Sequence, residues 1–407
     1  MSRSRSHPRR PTLRGLFTRF VAILIGACIA AALIVGIQVP LLHPRSLTHV
    51  TFTSIDVTST LPLVWPTVGS AALDIPSLGV LDGHHVAVVP VASLTKMMTA
   101  YVTLQHLPLG LGQTGPCHVV TEADVATYET MSGIDESSVA VDEGEQLCEL
   151  DLLNGLLVHS AGNYAVMLAD MVAGSTSAFV ADMNEEASTL GLTGTTYADV
   201  TGYSPLSVST APDQARLAAL LMRSPLVRSI VIQTSVTLPF AGTVTSFTPD
   251  VGIDNVIGVK SGRTLQAGGC DVMAMTFHEG TKTHVLYAVV LGQEGGDLLG
   301  PAGEAALSLA NSAVANRLHY TIPRDRALGQ ITWGARHVAF GVTSSHELWW
   351  WPARGRLSVR LHVRTFTSAI RRDEIVGTLD IRGAVRATFI LRALGPLSPP
   401  TLLDRLR

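Results

Sequence analysis

The sequence predicts an α+β protein in which one antiparallel sheet with helices around it is followed by a small all-β domain and preceded by an apolar helix. Within residues 69–320, strand-like runs at both ends enclose a block of helical patterns, which favours an antiparallel sheet with its helices grouped together. Residues 323–407 change to short alternating segments separated by turns, which is typical of short strands. An unbroken apolar run from Phe20 to Ile37 lies near the N-terminus.

Composition excludes several classes of function. The chain has 407 residues, which is long enough for two globular domains. Its formal net charge of −3 offers no basic surface for nucleic acid. The histidines are scattered, and neither an H-E-x-x-H nor a C-x-x-C spacing occurs. The sequence therefore predicts no nucleic-acid partner, no metal and no cofactor.

The N-terminal segment predicts a membrane anchor. Residues 1–19 form a basic tail, and residues 20–40 approach the roughly 20 apolar residues that a helix needs to cross a bilayer. Basic residues before such a helix predict a cytoplasmic N-terminus and an exported remainder. A cleaved signal peptide is the alternative, but it has a shorter apolar stretch followed by a small-x-small site. Because the alanines here lie inside the run, we favour a single-pass anchor in the cell membrane.

The remainder divides into a linker and two domains. Residues 41–68 contain several prolines among serines and threonines and are predicted to be an exposed linker. The α+β domain follows at 69–320 and the β domain at 323–407. The β domain contains the row Trp349-Trp350-Trp351, of which at most two rings can face one core. Contact with membrane or glycan, or one core ring with partly exposed neighbours, would each explain the row.

Export would place the cysteines in an oxidising compartment. Cys117 and Cys148 lie in short runs that fit two strands of one small sheet, so a disulfide between them is predicted. Two separate buried thiols are the alternative. Cys270 would then be an unpaired, buried thiol.

Hydrophobic spacing and turn residues place the elements of the α+β domain in order. A hairpin is predicted first, from two apolar runs, Ala71–Val80 and His85–Val89, around a turn at residues 81–84. Helices are predicted directly after Ser93, after Asp151 as N-cap, and over Tyr164–Val172, Phe179–Leu190, Ala211–Met222 and Glu304–Leu318. The later strands are predicted over Asn255–Val259, Asp271–Phe277 and His284–Leu291.

The scarcity of lysine singles out one stretch of the chain. Lysine occurs only at positions 96, 260 and 282, whereas arginine fills the other basic positions. Arginine stays protonated in proteins and cannot accept a proton, but a lysine can once burial lowers its pKa. Lys96 follows Ser93 by three residues, and this spacing puts both on one face of a helix. A neutral Lys96 could therefore take the proton of Ser93, whose oxygen would attack a carbonyl group.

The order of three motifs resembles that of penicillin-recognising serine enzymes, and more narrowly the low-molecular-weight D-alanyl-D-alanine carboxypeptidases, which carry a C-terminal β domain. The resemblance covers about residues 68–320 and is weak over 323–407. It is carried by five stretches: Ala92-Ser93-Leu94-Thr95-Lys96-Met97-Met98-Thr99-Ala100, Leu156-Leu157-Val158-His159-Ser160-Ala161, Met183-Asn184 through Leu190-Gly191-Leu192, Ser209-Thr210-Ala211-Pro212-Asp213, and Gly258-Val259-Lys260-Ser261-Gly262-Arg263-Thr264.

The resemblance implies a penicillin-binding, β-lactamase-like fold and a serine peptidase. Ser93 would be the acylated nucleophile, Lys96 its general base, and Ser160 the group that relays a proton to the leaving D-alanine. The implied partners are peptidoglycan stem peptides ending in D-Ala-D-Ala, and β-lactam antibiotics. The acceptor could be water or an amine, so transpeptidation stays open.

The third motif would bind the substrate's end. By the same resemblance, Lys260 and Ser261 would bind the terminal carboxylate, and Gly262 would let the strand approach closely. The backbone N–H groups of Arg263 and Ser93 would form the oxyanion hole. A cation and a hydroxyl on one edge strand also suit an extended peptide with a carboxylate on physical grounds.

The second motif departs from the family pattern of Ser-x-Asn. Without a gap, Gly162 occupies the asparagine position, and Asn163 follows it. Either the backbone shifts so that Asn163 contacts the substrate, or activity is reduced. Losing a hydrogen bond at a buried polar site costs about 1–3 kcal/mol. Ser261 in place of threonine is a milder change, since the hydroxyl remains.

Two other classes of function compete with a carboxypeptidase. A β-lactamase shares the acylation chemistry but in its best-known form adds a glutamate after the second motif. Glu185 and Glu186 follow Ser160, but they lie in a context that matches the peptidase family. The other alternative is a wall-binding protein with weakened or lost catalysis, which Gly162 alone supports.

Overall fold

The computed structural model describes residues 21–28, 45–47, 63–316, 318–333, 336–350, 358–366, 368–382 and 386–398. Side chains are described for the same residues except 45–47, 318–320, 349 and 350. The predicted tail at 1–19 and most of the predicted anchor and linker lie outside these ranges. Of the tryptophan row, the side chains at 349 and 350 and the whole of residue 351 are not described.

The described elements follow one another in chain order. The helices are α1 (21–28), α2 (Thr95–His106), α3 (Glu122–Gly133), α4 (Glu149–Val158), α5 (Gly162–Ala173), α6 (Thr176–Thr189), α7 (Ala211–Leu221), α8 (Pro225–Val231) and α9 (Leu299–Ala315). The strands are β1 (Arg45–Leu47), β2 (Ser70–Ile75), β3 (Val80–His84), β4 (Val89–Pro90), β5 (Cys117–Val119), β6 (Gln146–Cys148), β7 (Val208–Ser209), β8 (Ser235–Leu238), β9 (Gly242–Thr245), β10 (Val256–Thr264), β11 (Gly268–Glu279), β12 (Lys282–Gln293), β13 (Leu318–Ile322), β14 (Gly329–Trp333), β15 (Arg336–Gly341), β16 (His346–Trp350), β17 (Ser358–Val363), β18 (Ile375–Arg382) and β19 (Ala387–Ala393).

The described residues between 63 and 316 form one compact unit. Its main sheet is antiparallel with the strand order β10-β11-β12-β2-β3. Helix α9 packs on β11 and β12, and α7 packs on β2 and β12. The largest hydrophobic core lies between the sheet and helices α2, α4, α5 and α7. Because β10 is the first strand of the sheet, it has one edge that no other strand of this sheet occupies.

The described residues from 318 onward form a second unit together with the described residues before 60. Its larger sheet has the order β1-β14-β15-β19-β18-β17, and β13 pairs with β16. Strand β1 lies within the predicted linker and pairs with β14. A separate hydrophobic core fills this unit and includes Ile331, Phe340, Leu379 and Leu391.

The fold is α+β with antiparallel sheets, as predicted. Helices α5 to α7 and the hairpin of β11 and β12 lie where spacing placed them. Helix α4 begins earlier than predicted: its N-cap is Cys148 rather than Asp151, and the Asp151 side chain accepts a hydrogen bond from the Cys148 nitrogen from within the first turn. The first hairpin is present, but its turn is earlier than predicted: a 3-10 turn at Pro76–Leu78, followed by Gly79 with φ +62°, connects β2 to β3. Residues 81–84 belong to β3, because pairing across the strands brings Val80 into the core opposite Ile75.

The cysteine prediction is confirmed. Cys117 and Cys148 are bonded, and they face each other across the pair of strands β5 and β6. Cys270 is an unpaired thiol and fully buried.

Among the described residues, no single helix has the length and apolar character to cross a membrane. Helices α5 and α6 meet the criterion only when taken together, and they are bent by 83°.

Candidate active site

The predicted nucleophile lies in a tight turn at the start of a helix. Ser93 belongs to a 3-10 turn, Ala92–Leu94, that runs directly into α2. Ala92 has φ +47°, and Gly202 packs against it so closely that a Cβ at Gly202 would lie 1.8 Å from the Ala92 oxygen. A side chain at position 202 is therefore excluded, and the turn is held in place by the loop that contains Gly202.

Lys96 is paired with Ser93 and is fully enclosed. Its Nζ donates to Ser93 Oγ at 3.0 Å and to the backbone oxygen of Thr201 at 2.9 Å, and the side chain is 1% exposed. Burial lowers the pKa of Lys96 to about 8, against a smaller opposing effect from the carboxylates of Glu136 and Asp199. A lysine with such a pKa is partly neutral near pH 7, and its neutral form can accept a proton from the serine hydroxyl.

Strand β10 brings the third motif against the same turn. A Cβ at Gly262 would lie 2.6 Å from the Ser93 nitrogen and 3.1 Å from Ser93 Cα. Both are backbone atoms that cannot swing aside, so only glycine allows the strand to come this close. Ser261 Oγ donates to the Phe247 oxygen at 2.8 Å.

The second lysine is also buried. Lys260 is 0% exposed, and its Nζ donates to the Ser261 oxygen at 2.8 Å. Burial pushes the pKa of Lys260 well below its usual value, and the positive charge of Lys96 adds to this, whereas Asp271 acts in the opposite sense. A bound anion would favour the protonated form of Lys260.

Ser160 lies between α4 and α5 in a strained conformation. Its φ is +63°, in a region that non-glycine residues seldom adopt. The residue is 3% exposed, and within the described part of the chain its Oγ has no hydrogen-bond partner. Strain and an unpaired buried hydroxyl are features that accumulate at functional sites.

Ser93, Ser160 and Ser261 share one cleft with a volume of about 250 Å³. It is lined by Ser93, Ser137, Ser160, Phe247, Ser261, Gly262, Arg263, Asp297 and Leu299. The structure thus brings together three serines from three separate motifs. Two of them are each bonded to a buried lysine: Ser93 to Lys96, and the Ser261 backbone to Lys260. A protein-family model described as D-alanyl-D-alanine carboxypeptidase (peptidase S11) matches residues 78–295, which is more than half of the chain.

The chain belongs to this family.

Individual relatives of the D-alanyl-D-alanine carboxypeptidase family match over shorter spans. A D-alanyl-D-alanine endopeptidase of Pseudomonas aeruginosa is 33% identical over 201 residues, covering 47% of this chain and 61% of that protein. The D-alanyl-D-alanine carboxypeptidase DacC of Escherichia coli is 37% identical over 133 residues, covering 32% of this chain and 33% of that protein. The chain therefore spans less than two thirds of the length of these relatives.

The likeness of fold extends further than the likeness of sequence. The crystal structure of penicillin binding protein 6B from Escherichia coli superposes with a TM-score of 0.59 at 22% identity, covering 85% of this chain and 100% of that one. The chain therefore has the penicillin-binding protein fold.

Asn163, which was predicted to bind substrate, does not line the cleft. Asn163 is 0% exposed, its Nδ2 donates to the Val139 oxygen at 2.8 Å, and its Oδ1 accepts from the Val139 nitrogen at 3.0 Å. The expectation that Asn163 contacts substrate needs correction, because both its polar atoms are already bonded to one backbone unit. Asn163 instead fixes the segment before β6 to the start of α5.

Sequence reasoning missed several contributors to the site. The Thr201 backbone oxygen bonds Lys96, and Glu136 acts on its charge. A backbone acceptor leaves no trace in residue identity. Glu136 lies in an acidic stretch, Asp135-Glu136, without any motif spacing to Ser93 or Ser160, so only the fold reveals it.

Proposed function

We propose that this chain is a serine-type D-alanyl-D-alanine carboxypeptidase that acts on peptidoglycan stem peptides through an acyl-enzyme on Ser93. The hydrogen bond between Lys96 Nζ and Ser93 Oγ, with the pKa of Lys96 lowered to about 8, carries this proposal. It supplies a nucleophile and a base in contact, which is the minimum that acyl transfer requires.

Acylation follows from this geometry. Ser93 Oγ attacks the carbonyl carbon before the terminal D-alanine while its proton passes to the lone pair of Lys96 Nζ. The carbonyl electrons move to the oxygen, where the backbone N–H groups of Ser93 and Arg263 stabilise the negative charge. The close approach of β10 to the Ser93 nitrogen supports this assignment.

Collapse of the oxyanion breaks the carbon–nitrogen bond. The leaving nitrogen takes a proton, which Ser160 relays from Lys96, and departs as free D-alanine. A water molecule then attacks the ester carbonyl, and the shortened peptide leaves with a carboxylate while Ser93 regains its hydrogen. The unpaired Oγ of Ser160 in the same cleft supports the relay.

Recognition of the substrate's carboxylate falls to the third motif. Ser261 and Arg263 line the cleft, and Lys260 is bonded to the Ser261 backbone. An extended peptide could add to the edge of β10, since a strand edge offers backbone groups for pairing. β-Lactams would enter the same cleft and acylate the same serine.

The proposal also includes the location of the protein in the cell. The basic tail and the apolar run over 20–40 support a membrane anchor with the catalytic unit outside the cytoplasm. The Cys117–Cys148 disulfide supports an oxidising compartment.

The β-lactamase alternative gains no support from position. Glu185 is exposed on α6, and neither it nor Glu186 lines the cleft around Ser93.

A fluorescent penicillin tests the proposal. The chain should gain one covalent label, measured as a mass increase of one drug molecule, and Ser93→Ala should gain none. Release of D-alanine from a diacyl-Lys-D-Ala-D-Ala peptide, without rapid turnover of the drug, identifies the carboxypeptidase. Cleavage of a cross-linked dimer in place of this release would identify an endopeptidase. A chain that takes no label would overturn the proposal.

A further inference from the structure

The side chain missing at Gly162 leaves a space that another residue has filled. A Cβ built on Gly162 would lie 2.8 Å from Oε1 of Glu136, 3.1 Å from Sδ of Met131 and 3.2 Å from the Ser137 oxygen. The carboxyl end of Glu136 therefore occupies the position into which an asparagine at 162 would project.

The backbone holds Glu136 in this position. The Glu136 nitrogen donates to the Met131 oxygen at 3.0 Å, and the Gly162 nitrogen donates to the Ser137 oxygen at 2.7 Å. The turn after α3 is thus bonded directly to the first residue of α5. Glu136 also lines a wider cavity next to the cleft, which includes Ser93 and Ser137.

One oxygen of the Glu136 carboxyl group makes no hydrogen bond to the described residues. This oxygen, Oε1, is buried. Asp199, the other carboxylate that acts on Lys96, already accepts hydrogen bonds from Thr201, Ser207 and the backbone nitrogen of Tyr203.

The charges of Glu136 and Asp199 act on the Lys96 amine, and the charge of Lys96 in turn lowers the pKa of the buried Lys260. Glu136 has the largest effect among those that favour the protonated form. It is therefore the charged group that lies both beside the gap at Gly162 and within electrostatic reach of the general base.

We propose that Glu136 replaces the missing asparagine side chain as the positioning residue for Lys96, with Gly162 retained because any larger residue would displace the carboxylate. This inference rests on the proposed acyl-enzyme function. It predicts that the pair Gly162 and Glu136 is exchangeable only as a unit, because each occupies the space that the other leaves.

Four variants test the pair. Glu136→Gln keeps the shape and removes the charge, and Glu136→Ala empties the space. Gly162→Asn is made alone and in the Glu136→Ala background. Glu129→Gln, on the exposed side of α3, is the matched control for loss of one negative charge from the same region. Each is labelled with fluorescent penicillin across a pH range, and each is melted to confirm folding.

We expect Glu136→Gln to lower the labelling rate about tenfold on its plateau, because a neutral amide no longer holds the Lys96 amine electrostatically. The acidic limb of its pH profile should also move to lower pH, because a charge that favours protonated Lys96 has gone. A merely structural role would lower the plateau without moving the limb. Glu129→Gln should match the wild type in both.

The double variant provides the second criterion. Gly162→Asn alone should slow labelling, because its Cβ meets the Glu136 carboxyl group. In the Glu136→Ala background the same change should speed labelling, so the sign of its effect reverses.

Two results would overturn this inference while leaving the proposed function intact. The first is a wild type that is labelled and a Glu136→Gln variant with the same pH profile of labelling. The second is a Gly162→Asn change that alters the labelling rate in the same direction in the wild type and in the Glu136→Ala variant. If the double variant fails to fold, the position of the acidic limb in the pH profile of Glu136→Gln still tests the inference. A wild type that takes no label would overturn the proposed function as well.

Discussion

The substitution Gly262→Ala would separate strand β10 from the nucleophile. The added Cβ would lie 2.6 Å from the Ser93 nitrogen, 3.1 Å from Ser93 Cα and 3.2 Å from Ala92 Cβ. Non-bonded carbon atoms settle at roughly 3.5–4.0 Å, so strand and turn must part by about 1 Å. An oxyanion donor acts only within about 2.7–3.1 Å of the developing charge, and the loss of one donor slows acyl transfer roughly 10²–10³-fold. We expect a loss of labelling rate of that size.

The assay is the second-order rate of labelling by fluorescent penicillin, with D-alanine release as the second measurement. Gly133→Ala is the matched control, since a Cβ there meets nothing within 4 Å. Melting curves of both variants show whether the lost rate exceeds any lost folded fraction. A Gly262→Ala chain that folds and is labelled as fast as the wild type would refute the close-approach argument.

Three further predictions concern pH and stability. Because the base must be neutral and the pKa of Lys96 is about 8, the labelling rate should rise about tenfold per pH unit below that value and level off above it; a flat profile through this range would contradict the assignment. Reduction of the Cys117–Cys148 bond, which closes a loop with a sequence separation of 31, should lower the free energy of unfolding by about 3–4 kcal/mol in a urea titration; an unchanged midpoint would count against it. Burial raises the pKa of Asp271 well above its usual value, so the folded chain keeps a proton that the unfolded chain releases, and stability falls as pH rises. The Asp271→Asn variant should therefore melt at the same temperature as the wild type at low pH and at a higher temperature at neutral pH. A constant difference in melting temperature between the two at all pH values would disprove this.

The catalytic pair could be predicted from sequence because its geometry is local. Ser93 and Lys96 are three residues apart at a helix start, so backbone geometry alone brings them together. The contact between Gly262 and Ser93 is long-range, but a known order of motifs anticipated it. The disulfide could also be predicted, because Cys117 and Cys148 each lie on a short strand whose pattern is visible in the sequence.

The environment of Gly162 could not be predicted in the same way. Glu136 and Gly162 meet only because the turn after α3 bonds to the start of α5, and no periodicity encodes that contact. Asn163 was misplaced for a related reason: adjacency in sequence suggested that it could replace the missing amide, but the backbone of Val139 takes both its polar atoms. The early hairpin turn was likewise shifted, since Asp82-Gly83 carries a turn composition that pairing with β2 overrides.

Because lysine is scarce, cleavage at the lysines can report whether the chain is folded. Lys96 and Lys260 are enclosed, whereas Lys282 is exposed at the beginning of β12. A lysine-specific protease should therefore cut the native chain only after residue 282, and the other two cuts should appear only as the chain opens. Digest patterns collected along a heating ramp would thus report the opening of the reaction centre directly, without any substrate or drug.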